Sequence, residues 1–280
     1  MKKVSVVMST YNAEMYVAEA IESVLKQSFP DFEFIIVDDG STDKTLSIIR
    51  SYKDERIKLI ENSHDYIGSL NIGLASVSGK YIARMDADDI MHIDRLKIQY
   101  AIMEEEPSIT VCGSWMEPFG KDIPKGSVTQ TVFGILETPL LLMLKGNMIF
   151  HPTIMLQTDF LRTHSLQYEK YEYAEDYKLW TEIAKRDGVF YVESQSLLLY
   201  RVSDQQVSTQ KREKQVKTAL RIRQEVLEYL LETNSTTYPS CKQIAKALQY
   251  AKDENLITVD EVFDFFFTLF TKNKNSVITG

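Results

Sequence analysis

Cysteine is scarce in this chain of 280 residues, which has two copies, Cys112 and Cys241. They lie far apart, and neither has a second cysteine or a histidine at the spacing of a zinc site. Two isolated cysteines also do not make the dense disulfide framework of a small secreted protein. The sequence therefore argues against a zinc site and a disulfide scaffold, and it favours a reducing compartment.

Long apolar runs are also missing. The apolar stretch at residues 140–144 ends at Lys145, well short of the roughly 20 residues that span a bilayer. The N-terminal residues 1–8 resemble the start of a signal peptide, but their apolar run is too short for the core of one. We therefore expect a cytoplasmic protein whose residues 4–8 form a first strand.

Positive charge is in deficit, with 32 Lys and Arg against 40 Asp and Glu and a formal net charge of −8. Nucleic-acid binding depends on clustered Lys and Arg that release counterions from phosphates, so a nucleic-acid partner is not expected. The apolar content of 44% is ordinary for a soluble globular protein. The length allows one large domain with an appendage.

Strand-like and helix-like segments alternate over the first hundred residues, which predicts a parallel sheet covered by helices. Helices are predicted after the first strand, after a cap at Ser41 or Thr42, and over residues 67–77. The predicted strands are residues 4–8, 32–37, 57–60, 81–85, 109–116 and 147–156.

Carboxylates follow two of these strands directly. Residues 34–37 lead into Asp38 and Asp39, and residues 81–85 lead into Asp86, Ala87, Asp88 and Asp89. Open α/β folds bind ligands at the carboxyl ends of their parallel strands. Carboxylate oxygens there are suitable ligands for a hard cation. The two segments therefore predict a site for a metal and a nucleotide.

Six segments resemble the family 2 glycosyltransferases, enzymes with a nucleotide-diphospho-sugar-binding fold of the GT-A type. A single Asp-x-Asp triplet is common by chance, whereas six segments in family order within the predicted strands and helices are not. The six are residues 6–12, 36–43, 70–74, 79–89, 151–153 and 174–180. The resemblance implies an α/β fold of the GT-A type, a mostly parallel central sheet flanked by helices, with a C-terminal helical appendage outside it.

The resemblance implies that Asp88 binds a divalent cation and that Asp86 contacts the cation or the ribose. Alternation along an extended segment would point both carboxylates to one side and Ala87 to the other. Hard oxygen ligands indicate Mg²⁺ or Mn²⁺, which would stabilise negative charge on the leaving diphosphate. The open alternative is that these aspartates are solvated and cap the next helix, above all Asp89.

The resemblance implies that the nucleotide base binds at the ends of the first two strands. Asp39 is expected to accept a hydrogen bond from the imide of uracil. Ser9, Thr10 and Tyr11 are expected to hold the base, with Tyr11 stacking on it. The alternative is an ordinary strand-to-helix turn, in which Asp38 and its neighbours only hold the loop together.

Two further residues, Asn71 and Arg84, are implied as contacts of the donor phosphates or the nucleotide. The planar guanidinium of an arginine matches phosphate oxygens. A purely structural ion pair of Arg84 with Asp38 or Asp86 is the alternative. His151 is a candidate neighbour of the acceptor or the diphosphate, with a structural role as its alternative.

The acceptor hydroxyl must lose a proton during transfer, and a carboxylate can take it as general base. In the family this is the aspartate of a Glu-Asp pair, here Asp176 after Glu175. The pair lies at the start of a predicted helix, where acidic residues are favoured, so helix capping without catalysis is the open alternative.

One departure from the family lies after residues 199–202, where many relatives carry a histidine that can approach the metal or the diphosphate. This chain has Ser203, which leaves a third protein ligand of the metal open. The following residues 204–208 are a candidate mobile flap, with Arg201 as a possible phosphate contact.

The tail, residues 211–280, is predicted to be helical and lies outside the resemblance. Residues 211–232 form an amphipathic helix, and residues 262–270 an aromatic-rich helix. The basic residues of the first helix either bind an anionic membrane surface or form a solvated helix face. The aromatic residues of the second helix pack inside the protein, or they form a homodimer interface or a membrane contact. The basic residues are Lys211, Arg212, Lys214, Lys217, Arg221 and Arg223.

These observations predict a glycosyltransferase domain over residues 1–210 and a C-terminal helical region over residues 211–280. The predicted enzyme is inverting and metal-dependent, and it passes a sugar from a nucleotide-sugar, with UDP as the expected nucleotide, to a glycan or a lipid-linked acceptor in surface polysaccharide biosynthesis. It is expected in the cytoplasm, free or peripheral at the inner membrane face. The alternatives are a non-catalytic sugar-nucleotide-binding module and a nucleotidyltransferase that forms sugar nucleotides. The latter usually carries a Gly- and Lys-rich phosphate loop, which residues 9–12 lack.

Overall fold

The computed structural model describes residues 2–129, 132–203, 210–234 and 240–272. Within them, nine strands form one sheet in the order β3-β2-β1-β4-β8-β6-β9-β5, with β7 beside β9. The first four strands run parallel, and β8 joins antiparallel to β4. The strands are β1 Val4–Thr10, β2 Phe32–Asp38, β3 Ile57–Glu61, β4 Tyr81–Asp86, β5 Ile90–Met91, β6 Ile109–Gly120, β7 Gly134–Ile135, β8 Met155–Gln157 and β9 Val189–Val202.

Helices follow the strands, as the alternating sequence pattern predicts, and the predicted α/β fold is confirmed. They are α1 Val17–Leu25, α2 Thr45–Ser51, α3 Tyr66–Ala75, α4 Arg95–Glu105, α5 Pro139–Leu142, α6 Thr158–Thr163, α7 Glu175–Ala184, α8 Arg212–Thr233, α9 Ser240–Asp253 and α10 Val259–Lys272.

The prediction of one strand over residues 147–156 is wrong. A 3-10 turn at His151–Thr153 interrupts this segment, and only the short strand β8 follows it. Pro152 lies in the turn, where its lack of an N–H group costs nothing, whereas in a strand it would remove a ladder hydrogen bond.

The register of the parallel strands brings the predicted site residues together. Ser9 lies opposite Asp86, and Thr10 lies opposite Asp38, at the carboxyl ends of β1, β2 and β4. The three strands are buried almost throughout, which explains their near-continuous apolar sequences. Both acidic segments therefore emerge at the same edge of the sheet.

The chain divides into two compact units. The first comprises Met1–Leu136, Ile149–Lys170 and Gly188–Gln210 and contains the whole sheet. The second comprises Glu137–Met148, Tyr171–Asp187 and Lys211–Gly280, so two internal segments group with the C-terminal helices. The domain boundary proposed at residue 210 stays a prediction.

The aromatic-rich helix of the second unit is α10, which packs against α5, α8 and α9. Phe263, Phe266 and Phe270 are almost fully buried, while Phe265 is 43% exposed. Most of its aromatic residues are therefore packing material within this unit. In the described part of the chain, no helix combines the length and the apolar character needed to cross a bilayer.

Candidate active site

The first acidic loop, residues 38–43, follows β2 and is held mainly by backbone N–H groups. Asp39 is buried, and its Oδ1 accepts hydrogen bonds from Asp65 N at 2.7 Å and Ser69 Oγ at 2.8 Å. Gly40 has a φ of +78°, a conformation that glycine adopts without steric cost. The predicted uracil ligand Asp39 thus also anchors the start of α3.

The other two aspartates of the first acidic loop hold its backbone. Asp38 Oδ2 accepts from Ser41 N at 3.0 Å, and Asp43 Oδ1 accepts from Thr45 N at 2.9 Å. The cap predicted at Ser41 or Thr42 is wrong, because α2 begins at Thr45 and Ser41 Oγ instead accepts from Asn12 N. The loop-holding role that the sequence left open for Asp38 is what the structure shows.

An aromatic pair stands beside Asp39. The rings of Tyr11 and His64 have centroids 4.4 Å apart, and Tyr11 is 45% exposed. His64 Nδ1 lies 3.7 Å from Asp39 Oδ2. Tyr11 therefore presents an accessible ring next to the carboxylate, as a base-stacking residue requires.

Three buried oxygens at the ends of β1 and β2 have no hydrogen-bond partner among the described residues: Ser9 Oγ, Thr10 Oγ1 and Asp38 Oδ1. Leaving such an atom unsatisfied costs about 1–3 kcal/mol. Natural proteins seldom leave such groups without a water or a ligand. Their position agrees with the predicted nucleotide contacts of Ser9 and Thr10, which stay predictions.

The second acidic loop, residues 86–89, contains a turn where an extended segment was expected. β4 ends at Asp86, and Ala87 and Asp88 form a turn. Alternation therefore does not align the two carboxylates, although Ala87 is buried while Asp86 and Asp88 are partly exposed. Whether both bind one cation stays a prediction.

Arg84 pairs with the first carboxylate of this loop. Its guanidinium is 4% exposed and donates to Asp86 Oδ1, which is the structural ion pair that the sequence left open. Burial opposes the charge on Arg84, yet the neighbouring Asp86 raises the pKa of Arg84 above its ordinary value. The positive charge at the foot of the loop is therefore permanent.

Asp89 turns inward. It is fully buried, and its Oδ1 accepts a hydrogen bond from Arg201 N at 2.8 Å. Burial raises the pKa of Asp89 well above its usual range, and the nearby Asp86 and Asp88 add to this effect. The alternative of a solvated, helix-capping Asp89 does not hold, because the N-cap position of α4 is Asp94.

Arg201 on β9 secures the second acidic loop from the neighbouring strand. Its Nε donates to Asp88 O at 2.7 Å, and its guanidinium lies over the rings of Tyr16 and Phe119. The predicted phosphate contact of Arg201 stays a prediction beside this anchoring role. Ser203 lies directly after β9, whereas the candidate flap at residues 204–208 lies outside the described residues.

A second, fully buried arginine lies beneath the loop. Arg95 Nη2 donates to Arg84 O at 2.9 Å and to Ile154 O at 3.0 Å, and Arg95 Nε donates to Gln99 Oε1. Burial lowers the pKa of Arg95 to about 9. These bonds join α4 to β4 and to the turn before β8, so the end of β4 rests on a polar support.

Both polar atoms of the Asn71 side-chain amide form hydrogen bonds with the backbone of Tyr168. Its Nδ2 donates to Tyr168 O and its Oδ1 accepts from Tyr168 N, each at 2.9 Å. Tyr168 in turn has its hydroxyl 2.8 Å from His151 Nε2. Burial lowers the pKa of His151 well below its usual value, and the nearby Arg84 adds to this, so His151 is neutral. The nucleotide contact assigned to Asn71 stays a prediction, and the structure gives it a backbone-clamping role.

Asp176 lies in the second unit, on the first turn of α7. Asn147 Nδ2 donates to Asp176 Oδ2 at 2.8 Å. The helix begins after its N-cap residue Ala174, which makes no side-chain capping hydrogen bond. Both roles that the sequence left open for Asp176, helix capping and general base, stay predictions.

Comparison with known proteins decides the family. The model of glycosyl transferase family 2 matches residues 5–165, more than half of the chain. The chain belongs to this family. This membership confirms the resemblance, the fold and the enzyme class predicted from the sequence.

Curated relatives support the assignment of this family 2 glycosyltransferase. An uncharacterized glycosyltransferase from Haemophilus influenzae is 38% identical over 240 residues, which cover 81% of this chain and 74% of its own. The Escherichia coli protein WfgD, a UDP-Glc:alpha-D-GlcNAc-diphosphoundecaprenol beta-1,3-glucosyltransferase, is 29% identical over 211 residues, which cover 74% of this chain and 80% of its own.

Solved structures show the same fold. Staphylococcus aureus TarS 1–349 in complex with UDP-GlcNAc matches with a TM-score of 0.66 and 24% identity, over 80% of this chain and 66% of that chain. A longer TarS structure matches with a TM-score of 0.63 over 82% of this chain, but the match covers only 40% of that chain. The likeness establishes the architecture of the family 2 glycosyltransferase.

A divalent cation fits the donor set at the second acidic loop. Mg²⁺ at phosphate sites is commonly held by one or two carboxylates together with phosphate oxygens of the substrate. Asp86 and Asp88 are two such carboxylates, both partly exposed at the sheet edge. Over the described ranges, no group of three or more His, Cys, Asp or Glu residues is arranged to hold a metal ion.

Sequence reasoning missed three residues of this family 2 glycosyltransferase. His64 and Asn147 carried no signal, because nothing in their neighbourhood marks them as partners of Asp39 and Asp176. Arg95 did carry one. Arg95, Gln99 and Met103 are spaced four residues apart and lie on the buried face of α4. Two polar residues, Arg95 and Gln99, therefore occupy positions where apolar core residues are expected.

Proposed function

We propose that this family 2 glycosyltransferase transfers a sugar, with inversion and with the help of a divalent cation, from a UDP-sugar to a glycan or a lipid-linked saccharide of surface polysaccharide synthesis. The observation that carries the proposal is the meeting of both acidic loops at the carboxyl ends of β2, β1 and β4. WfgD and TarS support the donor and acceptor classes, because their names specify a UDP-sugar or a lipid-linked or polymeric acceptor.

The donor half of the site divides between the two loops. The first loop takes the base, with Asp39 as acceptor for the imide and Tyr11 as stacking partner. The second loop takes the diphosphate, with Asp86 and Asp88 holding Mg²⁺ or Mn²⁺. The cation stabilises the negative charge of the leaving diphosphate. Arg84 supplies a fixed positive charge beside it.

The acceptor half of the reaction is assigned to Asp176. A single displacement at the anomeric carbon inverts its configuration and releases the proton of the attacking hydroxyl. The Asp176 carboxylate accepts that proton. Asn147 Nδ2 donates to Asp176 Oδ2 at 2.8 Å and so limits the rotation of the carboxylate.

The substitution Asp176→Asn tests the assignment. It should lower the transfer rate by about 10²–10⁴, the usual contribution of a general base, and leave the affinity for UDP unchanged. Asp159→Asn is the matched control, because Asp159 also lies exposed on a first helical turn, that of α6. Unchanged turnover in Asp176→Asn would remove Asp176 from the reaction.

The nucleotide and the metal are tested by thermal shift. Ligand binding to the folded state raises the melting temperature by mass action. UDP-sugars should raise it more than GDP-, CMP- or dTDP-sugars, and Mn²⁺ or Mg²⁺ should increase the shift. A shift that is the same in EDTA would count against the role of Asp88.

Membrane contact forms a further part of the proposal. Lys211, Arg212, Lys214 and Lys217 are exposed around the start of α8, whereas Arg223 is held by Asp260 within the second unit. Each exposed basic residue near an anionic surface contributes about 1 kcal/mol. Cosedimentation with anionic vesicles, compared with neutral ones, should detect binding that Lys214→Glu weakens. The homodimer stays a prediction that sedimentation velocity can test.

A further inference from the structure

His64 lies in the turn between β3 and α3, in an unusual backbone conformation. Its φ is +40°, in the left-handed region that residues other than glycine rarely adopt. Its side chain is 68% exposed, and its ring packs on Tyr11 at a centroid distance of 4.4 Å. Burial does not explain this conformation, since the ring contributes little to the core.

Asp39 holds the segment that carries His64. Of the two donors to Asp39 Oδ1, Asp65 N follows His64 directly in the chain, and Ser69 Oγ lies on the first turn of α3. The other oxygen, Oδ2, has no hydrogen-bond donor among the described residues, and His64 Nδ1 is 3.7 Å away, too far for a hydrogen bond. A hydrogen-bond acceptor and a ring nitrogen thus stand side by side without bonding to each other.

We propose that His64 is a specificity-determining residue for the donor base, reading the edge of uracil together with Asp39. The N3–H of uracil donates to Asp39 Oδ2, and the adjacent carbonyl at C4, where cytosine carries an amino group, accepts from His64 Nδ1–H. The contact with Tyr11 holds the plane of the imidazole for this bond. The inference rests on the proposed UDP-sugar donor and adds the residue that selects its base.

The pairing predicts an order of nucleotides. Cytosine and adenine present a ring acceptor beside an amino donor, the reverse of what Asp39 and His64 require, so both protein groups would stay unpaired. Guanine presents N1–H beside a carbonyl, the matching pair, but on a larger ring system. Sites that bind a polar edge in this way reject mismatched ligands because their own polar groups lose their partners.

The experiment measures the affinity of the full chain for UDP, GDP and CDP by calorimetry, in the wild type and two variants. His64→Phe keeps an aromatic ring against Tyr11 but has no donor. His64→Asn keeps a donor, and asparagine tolerates the left-handed backbone. His92→Phe is the matched control, because His92 is an exposed histidine at the end of β5.

The wild type should bind UDP most tightly. His64→Phe should weaken UDP about tenfold, the value of one net hydrogen bond, and should narrow the difference between the UDP and CDP affinities, because Asp39 alone then discriminates the two bases. His64→Asn should retain most of the preference for UDP, and His92→Phe all of it. Melting temperatures of the variants establish that each is folded.

Two results would overturn the inference. UDP affinity and selectivity that are unchanged in a folded His64→Phe would remove His64 from base recognition while leaving the proposed function intact. A wild type that binds none of the nucleotides, or binds CDP as tightly as UDP, would instead contradict the proposed UDP-sugar donor and the inference with it.

Discussion

The two acidic loops lie at the same sheet edge, but their carboxylates are held in opposite ways. In the first loop, Asp39 Oδ1 accepts from Asp65 N and Ser69 Oγ, which are neutral donors. In the second loop, Asp86 pairs with Arg84, and Arg201 binds the backbone of Asp88. Neutral donors suit a loop that receives a neutral base, whereas fixed cations suit one that handles a diphosphate and a metal.

The contrast extends to what lies under each loop. The first loop is held by turns between its own side chains and backbone, from Asp38 to Ser41 and from Asp43 to Thr45. It is also bonded to polar groups of residues 12–14 and 65–69. The second loop instead depends on two arginines, since Arg95 supports the end of β4 and Arg201 N binds the inward-facing Asp89.

The largest expected effect separates binding from chemistry. Asp88→Asn should lower the maximal transfer rate by about 10²–10³, because charge stabilisation in the transition state has this magnitude. UDP affinity without metal should change little. Asp122→Asn, in an exposed turn of the same unit, is the control. If the rate and the metal-free UDP affinity fell equally, the second loop would not be specific to the metal and the diphosphate, and the assignment of different roles to the two loops would be wrong.

Arg95→Met should destabilise the fold, since two buried groups, Arg84 O and Gln99 Oε1, would lose the donors that Arg95 supplies, whereas Ile154 O keeps Arg84 N as a donor. We expect the free energy of unfolding to fall by about 2–4 kcal/mol, at about 1–3 kcal/mol for each unsatisfied group. Urea denaturation measures it, with the exposed Lys97→Met on the same helix as control. A loss below about 1 kcal/mol would mean that the second loop does not depend on this support.

A carboxylate that is paired with cations away from the sheet edge provides a reference for the second loop. Burial opposes the charge of Glu182, but hydrogen bonds from Arg186, Lys178 and Lys185 lower its pKa from 4.5 to about 2. A depressed pKa gives stability that is present above pH 4.5 and is lost as the pH falls through about 2.

Glu182→Gln should therefore cost about 2 kcal/mol of unfolding free energy at pH 7 and much less at pH 2. Denaturation curves at both pH values measure the difference, with the exposed Glu172→Gln as control. A cost that is independent of pH would show that the ion pairs of this cluster do not stabilise the protein.

The smallest expected effect concerns the first loop. Asp39→Asn should weaken UDP about tenfold, or about 1.4 kcal/mol, and improve CDP relative to UDP, because the amide can donate to the ring nitrogen of cytosine. The rate at saturating donor should stay near the wild-type value. Calorimetry and initial rates test both statements, and a large fall in the saturated rate would sink the assignment of this loop to the base alone.

Much of the first unit was predictable because its signals are local. Buried parallel strands produce apolar runs such as residues 34–37, and acidic residues directly after them must lie at the ligand-binding edge. The strand predicted at residues 147–156 was wrong, because an apolar run is typical of a strand and the local sequence around Pro152 does not distinguish a strand from the observed turn. The turn at Ala87 and Asp88 was missed for a related reason, since nothing in the residues themselves ends β4 at Asp86.

By itself, the sequence determined the alternation of strands and helices over the first hundred residues, the family and the two carboxylate clusters, because periodicity and short motifs express local physics. Only the tertiary structure decided which partner each carboxylate has. His64 beside Asp39, Arg201 on Asp88 and Asn147 on Asp176 join residues that are 25, 113 and 29 positions apart. Such pairings depend on the sheet order and on loop packing, which no local pattern encodes.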